Sequence, residues 1–379
     1  MNGEAPRAAP AAADHRPPAR RPAPAAGDDY AATHAEAAAR ERPPLVVVEP
    51  LTAFLDAHGL GSGPLECETI VGGNSNFVCE LRRGDLHAVL RRPPRPPLPP
   101  KAHDMLREAR VLQALAGHAR VPRVLAVGED PATIGAPFYV MEHLDGHVIA
   151  DAVPPALDDP ASCRAAGLEL VAALAEVHAV DPDAVGLGDL ARPGRYLERQ
   201  LRTFAGLWEH NRTRELPAVE RIAARLAATL PEREERTVVH GDARLGNAMF
   251  APAPPARAIA LFDWEMATLG DPLADLGYLA ATWVEPNDPE LAIFGRTAAM
   301  RDPRFATRAE LVARYEELTG RAAAATVDWY RALALFKTVV FMEGNYRRAR
   351  AGMTDDPFLL AAGDAVAELA AHVEEAVLP

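Results

Sequence analysis

Three polar side chains suited to metal and proton chemistry follow one another within a short part of the sequence. Asp242 and Asn247 lie in the stretch VVHGDARLGNAMF, on a loop that leads into a strand-like run, and Asp263 directly follows the apolar run IALF. If the runs NAMF and IALF pair as a hairpin across the proline-rich turn APAPPAR, Asn247 and Asp263 lie at the same end of it. Two neighbouring oxygen ligands suit Mg²⁺, which completes its coordination shell with phosphates and water.

Asp242 is not needed as a ligand in this arrangement, and its carboxylate is free to accept a proton from a substrate hydroxyl. A base, an asparagine and a metal-binding aspartate in this order are the parts of a phosphoryl-transfer site. A competing interpretation takes His240 and Asp242 as H-x-D ligands of a metal-dependent hydrolase, but the sequence offers no further histidine cluster for it. The loop therefore predicts phosphoryl transfer, with Asp242 as catalytic base and with Asn247 and Asp263 as Mg²⁺ ligands.

Composition narrows the classes of partner. The 379 residues carry a formal net charge of -13, which disfavours a nucleic-acid partner bound through overall charge. The three cysteines form no metal-type pair and no disulfide framework, a pattern typical of a reducing, cytoplasmic compartment. No apolar run approaches the roughly 20 residues that a membrane crossing needs, so no membrane partner is expected. The oligomeric state is not predicted.

The chain divides into a tail and two lobes. Residues 1–44 are rich in Ala, Pro and Arg, and we predict that they are disordered because they cannot bury enough apolar surface to offset their ordering entropy. Residues 45–145 predict a nucleotide-binding lobe rich in strands, with a hinge at its end. Residues 146–379 predict a mostly helical lobe for catalysis and substrate binding. The expected fold class is therefore α+β and bilobal, with a ligand cleft between the lobes.

Hydrophobic periodicity places the main elements. In the first lobe, LTAFLDAHGL and AHDMLREARVLQALAG predict helices, and LECETIVGGNSNFVCEL and LHAVLRRPP predict a hairpin around RRGD. VPRVLAVGED and PFYVMEHLDG predict two more strands. In the second lobe, ASCRAAGLELVAALAEVHAV, YLERQLRTFAGLWEHN and LPAVERIAARLAATLP predict helices before strands return at RTVVHGD.

The spacing H-G-D-x-x-x-x-N, followed by an Asp after a hairpin, resembles the catalytic loop and metal-binding Asp of protein kinases. The Gly of HGD and the Trp of DWE depart from the protein-kinase versions and are similar to those of the aminoglycoside phosphotransferase (APH)-like family of small-molecule kinases. GDPLADLGYL and GAPFYVMEHLDG strengthen the resemblance, which covers about residues 65–350. The branch it looks most like is that of bacterial phosphotransferases related to kinase domains fused to some acyl-CoA dehydrogenases. The architecture this implies is a protein-kinase-like fold.

The resemblance implies ATP and Mg²⁺ as cofactors and gives roles to residues around the loop. It implies that His240 and Asp275 brace the catalytic loop, Asp275 by receiving backbone N–H groups. Asp271 precedes Pro272 and is interpreted as the cap of the helix that begins there. Arg244 has two open interpretations, a contact to phosphate or substrate and an ion pair with an acid.

The nucleotide side has weaker signals. The turn VGGNSNF lies between two strands, where its backbone N–H groups can cover nucleotide phosphates. Its candidate residues are Gly72, Gly73, Asn74 and Ser75. Where protein kinases place a Lys on the third strand, AVLRR offers Arg91 or, after a one-residue shift, Arg92. We prefer Arg91, with Glu108 on the following helix as its ion-pair partner, although Arg is not equivalent to Lys.

FYVMEHLDG is similar in position to the strand and hinge that join the two lobes in the family. The resemblance implies that backbone groups of Glu142 and Leu144 hold adenine and that Met141 lines its pocket. Such recognition leaves little trace in side-chain types.

The acceptor pocket is the least defined part of the prediction. The resemblance implies that it is built from RPGRYLERQLRTFAGLWEHN and FKTVVFMEGNYRRARAG. Its candidate residues are Tyr196, Arg199, Gln200, Trp208, Arg244, Glu265, Glu343 and Tyr346. The alternative, that such residues only pack or solvate helices, stays open.

The predicted function is that of an ATP- and Mg²⁺-dependent kinase that phosphorylates a hydroxyl group of a small molecule. An aminoglycoside pocket needs many carboxylates to hold a polycation, whereas the Arg-rich segments 192–214 and 347–350 favour a neutral or anionic acceptor, for example a hydroxyacyl-CoA or another hydroxylated metabolite. Two alternatives are an aminoglycoside or other antibiotic O-phosphotransferase, and a nucleotide-binding, pseudokinase-like module without turnover. Only the missing Lys favours the second.

Overall fold

The computed structural model describes residues 28–70, 76–96, 98, 103–353 and 356–377 of the chain. Two parts of the prediction lie outside the described residues, the first 27 residues of the tail and the turn formed by Gly72, Gly73, Asn74 and Ser75. The structure has a strand-rich lobe followed by a mostly helical one, which confirms the predicted α+β bilobal class.

The prediction of disorder does not hold for residues 28–44. The elements there and just after are β1 (Tyr30–Ala31), α1 (His34–Ala38) and β2 (Val46–Val47). β1 pairs in parallel with β2, and the guanidinium of Arg95 donates to the carboxylate of Asp29 at 2.6 Å. The composition argument failed because it averaged over the tail, whereas the buried residues Leu45, Val46 and Val47 that follow give this segment a surface on which to pack.

The first lobe is built on a five-stranded antiparallel sheet with a helix on each face. Its elements are α2 (Val48–Ala57), β3 (Glu66–Thr69), β4 (Phe77–Arg83), β5 (Leu86–Arg92), α3 (Met105–Leu115), β6 (Val124–Gly128) and β7 (Phe138–Glu142). The strands lie in the order β3-β4-β5-β7-β6. Every strand and helix predicted for this lobe is present.

The two faces of the sheet belong to two different apolar cores. Ala88 and Leu90 of β5 join the core under α2, whereas Val89 joins the core that continues through α3 into the second lobe. Because side chains alternate along a strand, Arg91 lies on the α3 face and Arg92 on the α2 face. This alternation separates two arginines that the sequence alone left as alternatives.

Short strands form the floor of the cleft in the second lobe. They are β8 (His147–Val148), β9 (Thr237–Val239), β10 (Ala248–Phe250), β11 (Ala258–Leu261) and β12 (Thr268–Gly270). β10 and β11 form the predicted antiparallel hairpin, β8 adds to the other edge of β10 directly after the hinge, and β9 pairs with β12. β8 and β12 were not predicted because two or three residues are too few to show an alternation.

Helices make up most of the second lobe. They are α4 (Pro160–Ala179), α5 (Tyr196–Asn211), α6 (Pro217–Ala228), α7 (Leu273–Thr282), α8 (Arg308–Thr319), α9 (Val327–Arg350) and α10 (Pro357–His372). Short 3-10 segments at Pro155–Leu157, Gly188–Leu190, Leu245–Asn247, Trp264–Met266 and Ala292–Arg301, and a π-helical turn at Val373–Val377, complete it. No helix in the described part of the chain combines the length and the apolar character that a membrane crossing requires.

The close packing of α7 against α9 positions the residues below the catalytic loop. Gly277 allows this contact, because a Cβ atom at that position would lie 2.3 Å from the Cβ of Tyr330. α9 in turn packs against α5, α6 and α10 in a separate apolar core. The side chains of α7 are therefore supported by a closely packed helix.

Candidate active site

The catalytic loop begins where β9 ends, beside β12. Val239 pairs with Thr268, so the HGD and DWE segments lie next to each other. Gly241 has a φ of 86°, and a Cβ atom there would lie 2.9 Å from the Cβ of Met266. The left-handed backbone and the close approach both favour glycine, which explains why Gly separates His240 from Asp242.

Asp275 of α7 holds the start of the loop from below. Its carboxylate accepts the backbone N–H groups of His240 at 2.7 Å and Gly241 at 2.8 Å, and it contacts Nε2 of His178 at 3.1 Å. Burial by itself would raise the pKa of this carboxyl, but the hydrogen bonds and the charge of His178 lower the pKa below its ordinary value. Asp275 is therefore a buried acceptor with several donors, the geometry that a brace of the loop requires.

Both ring nitrogens of His240 have partners. Nε2 lies 2.9 Å from the carbonyl oxygen of Phe262, and Nδ1 accepts the backbone N–H of Asp242 at 3.2 Å. The ring is fully buried and lies 4.5 Å, centroid to centroid, from that of Trp264. A neutral imidazole with Nε2 protonated satisfies both bonds, so His240 links the two segments of the site and has no nitrogen left for proton transfer.

The carboxylate of Asp242 accepts a hydrogen bond at each oxygen. The side-chain amide of Asn247 donates to Oδ2 at 2.7 Å, and the hydroxyl of Tyr278 donates to Oδ1 at 2.5 Å. Arg244 forms an ion pair with Oδ1 at 3.5 Å, which is the second of its two predicted interpretations. Burial and the charge of Asp242 raise the pKa of Tyr278 well above its ordinary value, so the hydroxyl stays a donor.

Asn247 and Asp263 lie at the same end of the hairpin, where the backbone N–H of Phe262 donates to the carbonyl of Asn247 at 2.9 Å. Asp263 has a φ of 66°, a left-handed conformation that is uncommon outside glycine and clusters at functional sites. Within the described part of the chain, the amide oxygen of Asn247 and one carboxylate oxygen of Asp263 have no hydrogen-bond partner. Two such oxygens fit Mg²⁺.

Arg91 connects the lobes through two carboxylates. Its guanidinium donates to Asp263 at 2.5 Å and to Glu108 at 3.2 Å, and Glu108 also accepts the backbone N–H of Trp264 at 3.2 Å. Burial works against the charge of Arg91, but Glu108 and Asp263 outweigh it and hold the pKa above its ordinary value. Burial likewise raises the pKa of Glu108, and Arg91 opposes this. The predicted partner of Arg91 is thus in place.

Arg92 points away from the cleft. Its guanidinium is buried under α2 and donates to the backbone carbonyls of Leu45 and Ile134, the latter at 2.7 Å. Burial lowers its pKa to about 10. The arginine favoured by a one-residue shift in register therefore supports the fold of the first lobe.

The hinge presents one acceptor and one donor of the kind that adenine needs. Met141 is buried in β7, on the α3 face of the sheet. The N–H of Glu142 already donates to the carbonyl of Arg123 at 2.9 Å, so any adenine contact there falls to its carbonyl group. The N–H of Leu144 has no hydrogen-bond partner among the described residues.

Glu265 lies between the lobes, beside the end of the Gly-rich turn. Its carboxylate accepts a hydrogen bond from Asn76 at 3.1 Å, and Asn76 also contacts Nδ1 of His103 at 2.8 Å. Arg107 of α3 donates to the backbone carbonyls of Glu265, at 3.2 Å, and Ala267. The structure thus places this acceptor candidate on the nucleotide side of the cleft.

Two candidate acceptor residues on α5 make contacts within the protein itself. Trp208 is 3% exposed in the core shared with α9, and its indole N–H has no hydrogen-bond partner in the described structure. Arg199 donates to the carbonyls of Arg192 and Pro193, at 3.1 and 3.3 Å. Packing, the alternative interpretation, describes these residues.

The candidates on the C-terminal half of α9 form a second structural cluster. The buried carboxylate of Glu343 accepts from the backbone N–H and hydroxyl of Thr213, at 3.0 and 2.7 Å, and from Arg214 at 3.1 Å. The ring of Tyr346 lies 5.3 Å from the guanidinium of Arg214 and 5.8 Å from that of Arg350. None of these contacts involves the catalytic loop.

A small cavity lies beside the loop, between α5, α7 and α9. Its volume is about 10 Å³, roughly the space of one water molecule. Residues of its lining include Tyr196, Gly241, Asp275, Tyr278, Tyr330 and Lys337. Tyr196 is therefore the candidate from the predicted acceptor helices that reaches the neighbourhood of Asp242.

Lys337 was not predicted, although it lies in one of the predicted acceptor segments. Within the described residues its ammonium has no ion pair and no hydrogen bond, and it sits 5.0 Å from the ring centroid of Phe204. Burial lowers its pKa, and the carboxylates of Asp275 and Asp242 oppose this. The available signal was composition, because the chain has only two lysines, Lys101 and Lys337.

Tyr278 was also missed, and helical spacing was its signal. It follows Asp275 by three residues in GDPLADLGYL, and residues three apart share a face of a helix. The face that carries the brace therefore also carries the hydroxyl that reaches Asp242.

The fold and the site together define a phosphotransferase of protein-kinase-like architecture. The chain belongs to the phosphotransferase enzyme family, whose model matches residues 66–311. This confirms the APH-like family expected from the motifs.

Two curated relatives are long proteins. The chain is 32% identical over 324 residues to mouse acyl-CoA dehydrogenase family member 10, a match that covers 84% of the chain and 30% of the relative. It is 30% identical over 321 residues to human acyl-CoA dehydrogenase family member 11, covering 82% of the chain and 41% of the relative. The chain thus spans less than half the length of these relatives.

Solved structures give the same fold. A candidate aminoglycoside phosphotransferase from Ralstonia eutropha superposes with a TM-score of 0.74 at 31% identity, covering 87% of this chain and 97% of that one. The aminoglycoside phosphotransferase APH(4)-Ia, in a ternary complex with ADP and hygromycin B, superposes with a TM-score of 0.54 at 15% identity, covering 84% and 97%. At that identity the second match bears on the fold alone.

Proposed function

We propose that this chain is a kinase that transfers the γ-phosphoryl group of ATP to a hydroxyl group of a small molecule, with Mg²⁺ as cofactor. The observation that carries the proposal is the joint placement of three side chains. Asn247 bonds the carboxylate of Asp242 at 2.7 Å and lies at the same hairpin end as Asp263. These are the base, the asparagine and the metal-binding aspartate that phosphoryl transfer requires.

Asp242 accepts the proton of the acceptor hydroxyl while the hydroxyl oxygen attacks the phosphorus atom. Asn247 and Asp263 would hold Mg²⁺, which neutralises negative charge on the phosphates when it is bound. His240 and Asp275 keep the loop in place, so the carboxylate does not have to reorganise during the reaction.

The nucleotide lies on the side of the first lobe in this proposal. Arg91 contacts the phosphates, and its bond to buried Glu108 fixes the direction of the guanidinium. The backbone of the turn Gly72, Gly73, Asn74 and Ser75 covers the phosphates. Adenine lies against Met141 and bonds the carbonyl of Glu142 and the N–H of Leu144.

We further propose an acceptor that carries an oxygen of negative or carbonyl character near its hydroxyl group. The unpaired ammonium of Lys337 and the partly exposed guanidinium of Arg244 support it, because both attract such oxygens and repel a polycation. The names of the curated relatives indicate acyl-CoA chemistry. A hydroxyacyl-CoA is therefore the acceptor to test first.

The test combines labelled ATP with a metabolite pool and identifies by mass spectrometry which molecule gains phosphate. Wild-type protein should label an anionic or acyl-bearing hydroxyl compound, and Asp263→Ala and Asp242→Ala should label nothing while still folding. Preferred turnover of an aminoglycoside would refute the acceptor class. Nucleotide binding without labelling of any hydroxyl compound would instead support a pseudokinase-like module.

A further inference from the structure

The hydroxyl of Tyr278 lies where the base must meet its substrate. An acceptor hydroxyl has to donate a hydrogen bond to Asp242 before it can lose its proton, and this requires a distance of about 2.6–3.2 Å. The hydroxyl of Tyr278 already donates a hydrogen bond to Oδ1 at 2.5 Å, and the amide of Asn247 donates one to Oδ2 at 2.7 Å. Both oxygens of the base are therefore occupied by protein donors.

We propose that Tyr278 is a positioning residue that holds the acceptor's place on Asp242 and so keeps water away from the base until the acceptor displaces it. The inference rests on the proposed kinase function, since it concerns which hydroxyl the base activates. It makes Tyr278 a determinant of specificity for the acceptor over water.

The support of Tyr278 explains why its hydroxyl reaches the base. α7 is pressed onto α9 at Gly277, the residue before Tyr278. Three residues earlier on the same helix, Asp275 fixes the loop that carries Asp242, at 2.7 and 2.8 Å from two backbone nitrogens. One helix therefore carries both Tyr278 and the residue that fixes the loop of the base.

The structure also offers a place for the displaced hydroxyl. The cavity of about 10 Å³ borders Tyr278 and has room for roughly one oxygen atom. Lys337 lines the same cavity and has unused N–H donors within the described residues. Rotation of the tyrosine toward this cavity would let its hydroxyl exchange the bond to Asp242 for one with the ammonium.

Without this placeholder, water becomes a competent acceptor. The water oxygen attacks the γ-phosphorus and forms the new P–O bond, the bond between the β–γ bridging oxygen and that phosphorus breaks, and ADP leaves with the electron pair. The water proton passes to Asp242. The products are ADP, inorganic phosphate and a proton, so no further reactant is needed.

The experiment measures phosphate release from ATP and Mg²⁺ by the full chain without any acceptor. Tyr278→Phe keeps the ring and vacates only the hydroxyl, and we expect hydrolysis to rise about tenfold, the scale of one hydrogen bond to a charged group. Tyr346→Phe makes the same chemical change elsewhere in the lobe and should match wild type. Tyr278→Phe combined with Asp242→Asn should lose the gain, because the base is then absent.

Binding of ADP, measured by calorimetry, separates this inference from the proposed function. If Tyr278→Phe binds ADP like wild type and its hydrolysis is unchanged or lower, Tyr278 does not hold the acceptor's place and the inference fails while the kinase proposal stands. A gain that persists in the double variant also overturns it. If wild type neither binds ADP nor labels any hydroxyl compound, the kinase proposal fails as well.

Discussion

The two sides of the cleft differ in whether their charges are paired. We name them after the proposed ligands: the nucleotide wall carries Arg91 and Glu108, and the acceptor wall carries Lys337. On the nucleotide wall, Arg91 is bonded to Glu108 and Asp263, and the carboxylate of Glu108 also accepts a backbone N–H group. On the acceptor wall, the ammonium of Lys337 has no charged partner among the described residues. The charges of the first wall are already paired with one another, whereas the unpaired ammonium of the second carries an electrostatic cost that an acceptor can relieve.

From this difference we expect specificity for the acceptor to depend on the acceptor wall. Paired charges fix geometry and change little from one ligand to another, so they suit a nucleotide that every turnover uses. An unpaired charge stabilises the protein less, but it increases the affinity for a ligand that supplies the missing partner. Substitutions on the two walls should therefore differ in kind, and the following changes test that expectation.

The largest effect is expected at the base between the walls. Asp242→Asn preserves the shape of the side chain but cannot take the acceptor proton, so we expect kcat to fall by about 10²–10⁴-fold. The affinity for ADP should stay within about twofold, because Asp242 is not on the nucleotide wall. Initial-rate kinetics with the acceptor found in the metabolite assay measure the first, and calorimetry the second. An active Asp242→Asn variant would remove the base from the mechanism.

The brace below the loop should affect stability as well as activity. Asp275→Asn removes a buried charge that several donors face, and we expect a loss of about 3 kcal/mol in the free energy of unfolding at pH 7. The pKa of Asp275 is lowered in the folded state, so its contribution is complete above the unfolded value of about 3.9 and is lost as pH falls through the lower folded pKa.

Urea unfolding at several pH values measures this contribution. The difference between wild type and Asp275→Asn should be constant at neutral pH and shrink only in acid. A difference that is the same at pH 7 and at low pH would show that the charge of Asp275 does not stabilise the loop.

On the acceptor wall, Lys337→Met should separate function from stability. The KM for an oxygen-bearing acceptor should rise about 10–100-fold, the range for a hydrogen bond to a charged group. Thermal stability should rise slightly, because a desolvated ammonium is replaced by an apolar side chain of similar length. A lower melting temperature with an unchanged KM would assign Lys337 to the fold instead.

The smallest effect is expected on the far half of α9. Tyr346→Phe removes a hydroxyl remote in sequence from the loop contacts, and we expect a change in unfolding free energy below about 0.5 kcal/mol and no change in acceptor KM. Thermal unfolding and initial-rate kinetics check both. A clear rise in KM would move the acceptor pocket toward the C-terminal end of α9.

Much of the fold, and the end of the site that carries Asn247 and Asp263, could be predicted because local sequence determines it. The hairpin that brings Asn247 and Asp263 together is visible as two apolar runs around a proline-rich turn, and α5 and α6 show clear helical periodicity. The confirmed family follows from motifs of fixed spacing. Such features depend on neighbours in the chain.

The acceptor wall depends on contacts between distant helices, which sequence spacing does not report. Trp208 and Glu343 have the residue types of a binding site. In the structure, however, Trp208 is buried between α5 and α9, and the carboxylate of Glu343 accepts the backbone N–H of Thr213. Lys337 and Tyr278 gain their importance only through the approach of α7 to α9 at Gly277. The sequence signal of such a tight helix contact is a single glycine, without any periodic pattern.

The alternation of Arg91 and Arg92 along β5 has a consequence for how length variation is tolerated in this chain. The turn before the strand, with Gly84 at a φ of 58°, sets the pairing of β4 with β5 residue by residue up to Phe77 opposite Arg92. Deleting one residue between this turn and Arg91 would move Arg92, the arginine now bonded to Leu45, to the cleft position that Arg91 holds. Elsewhere such a change would only shorten a loop, but here it would turn the residues after the deletion to the opposite face of the strand and remove the link from Arg91 to Asp263.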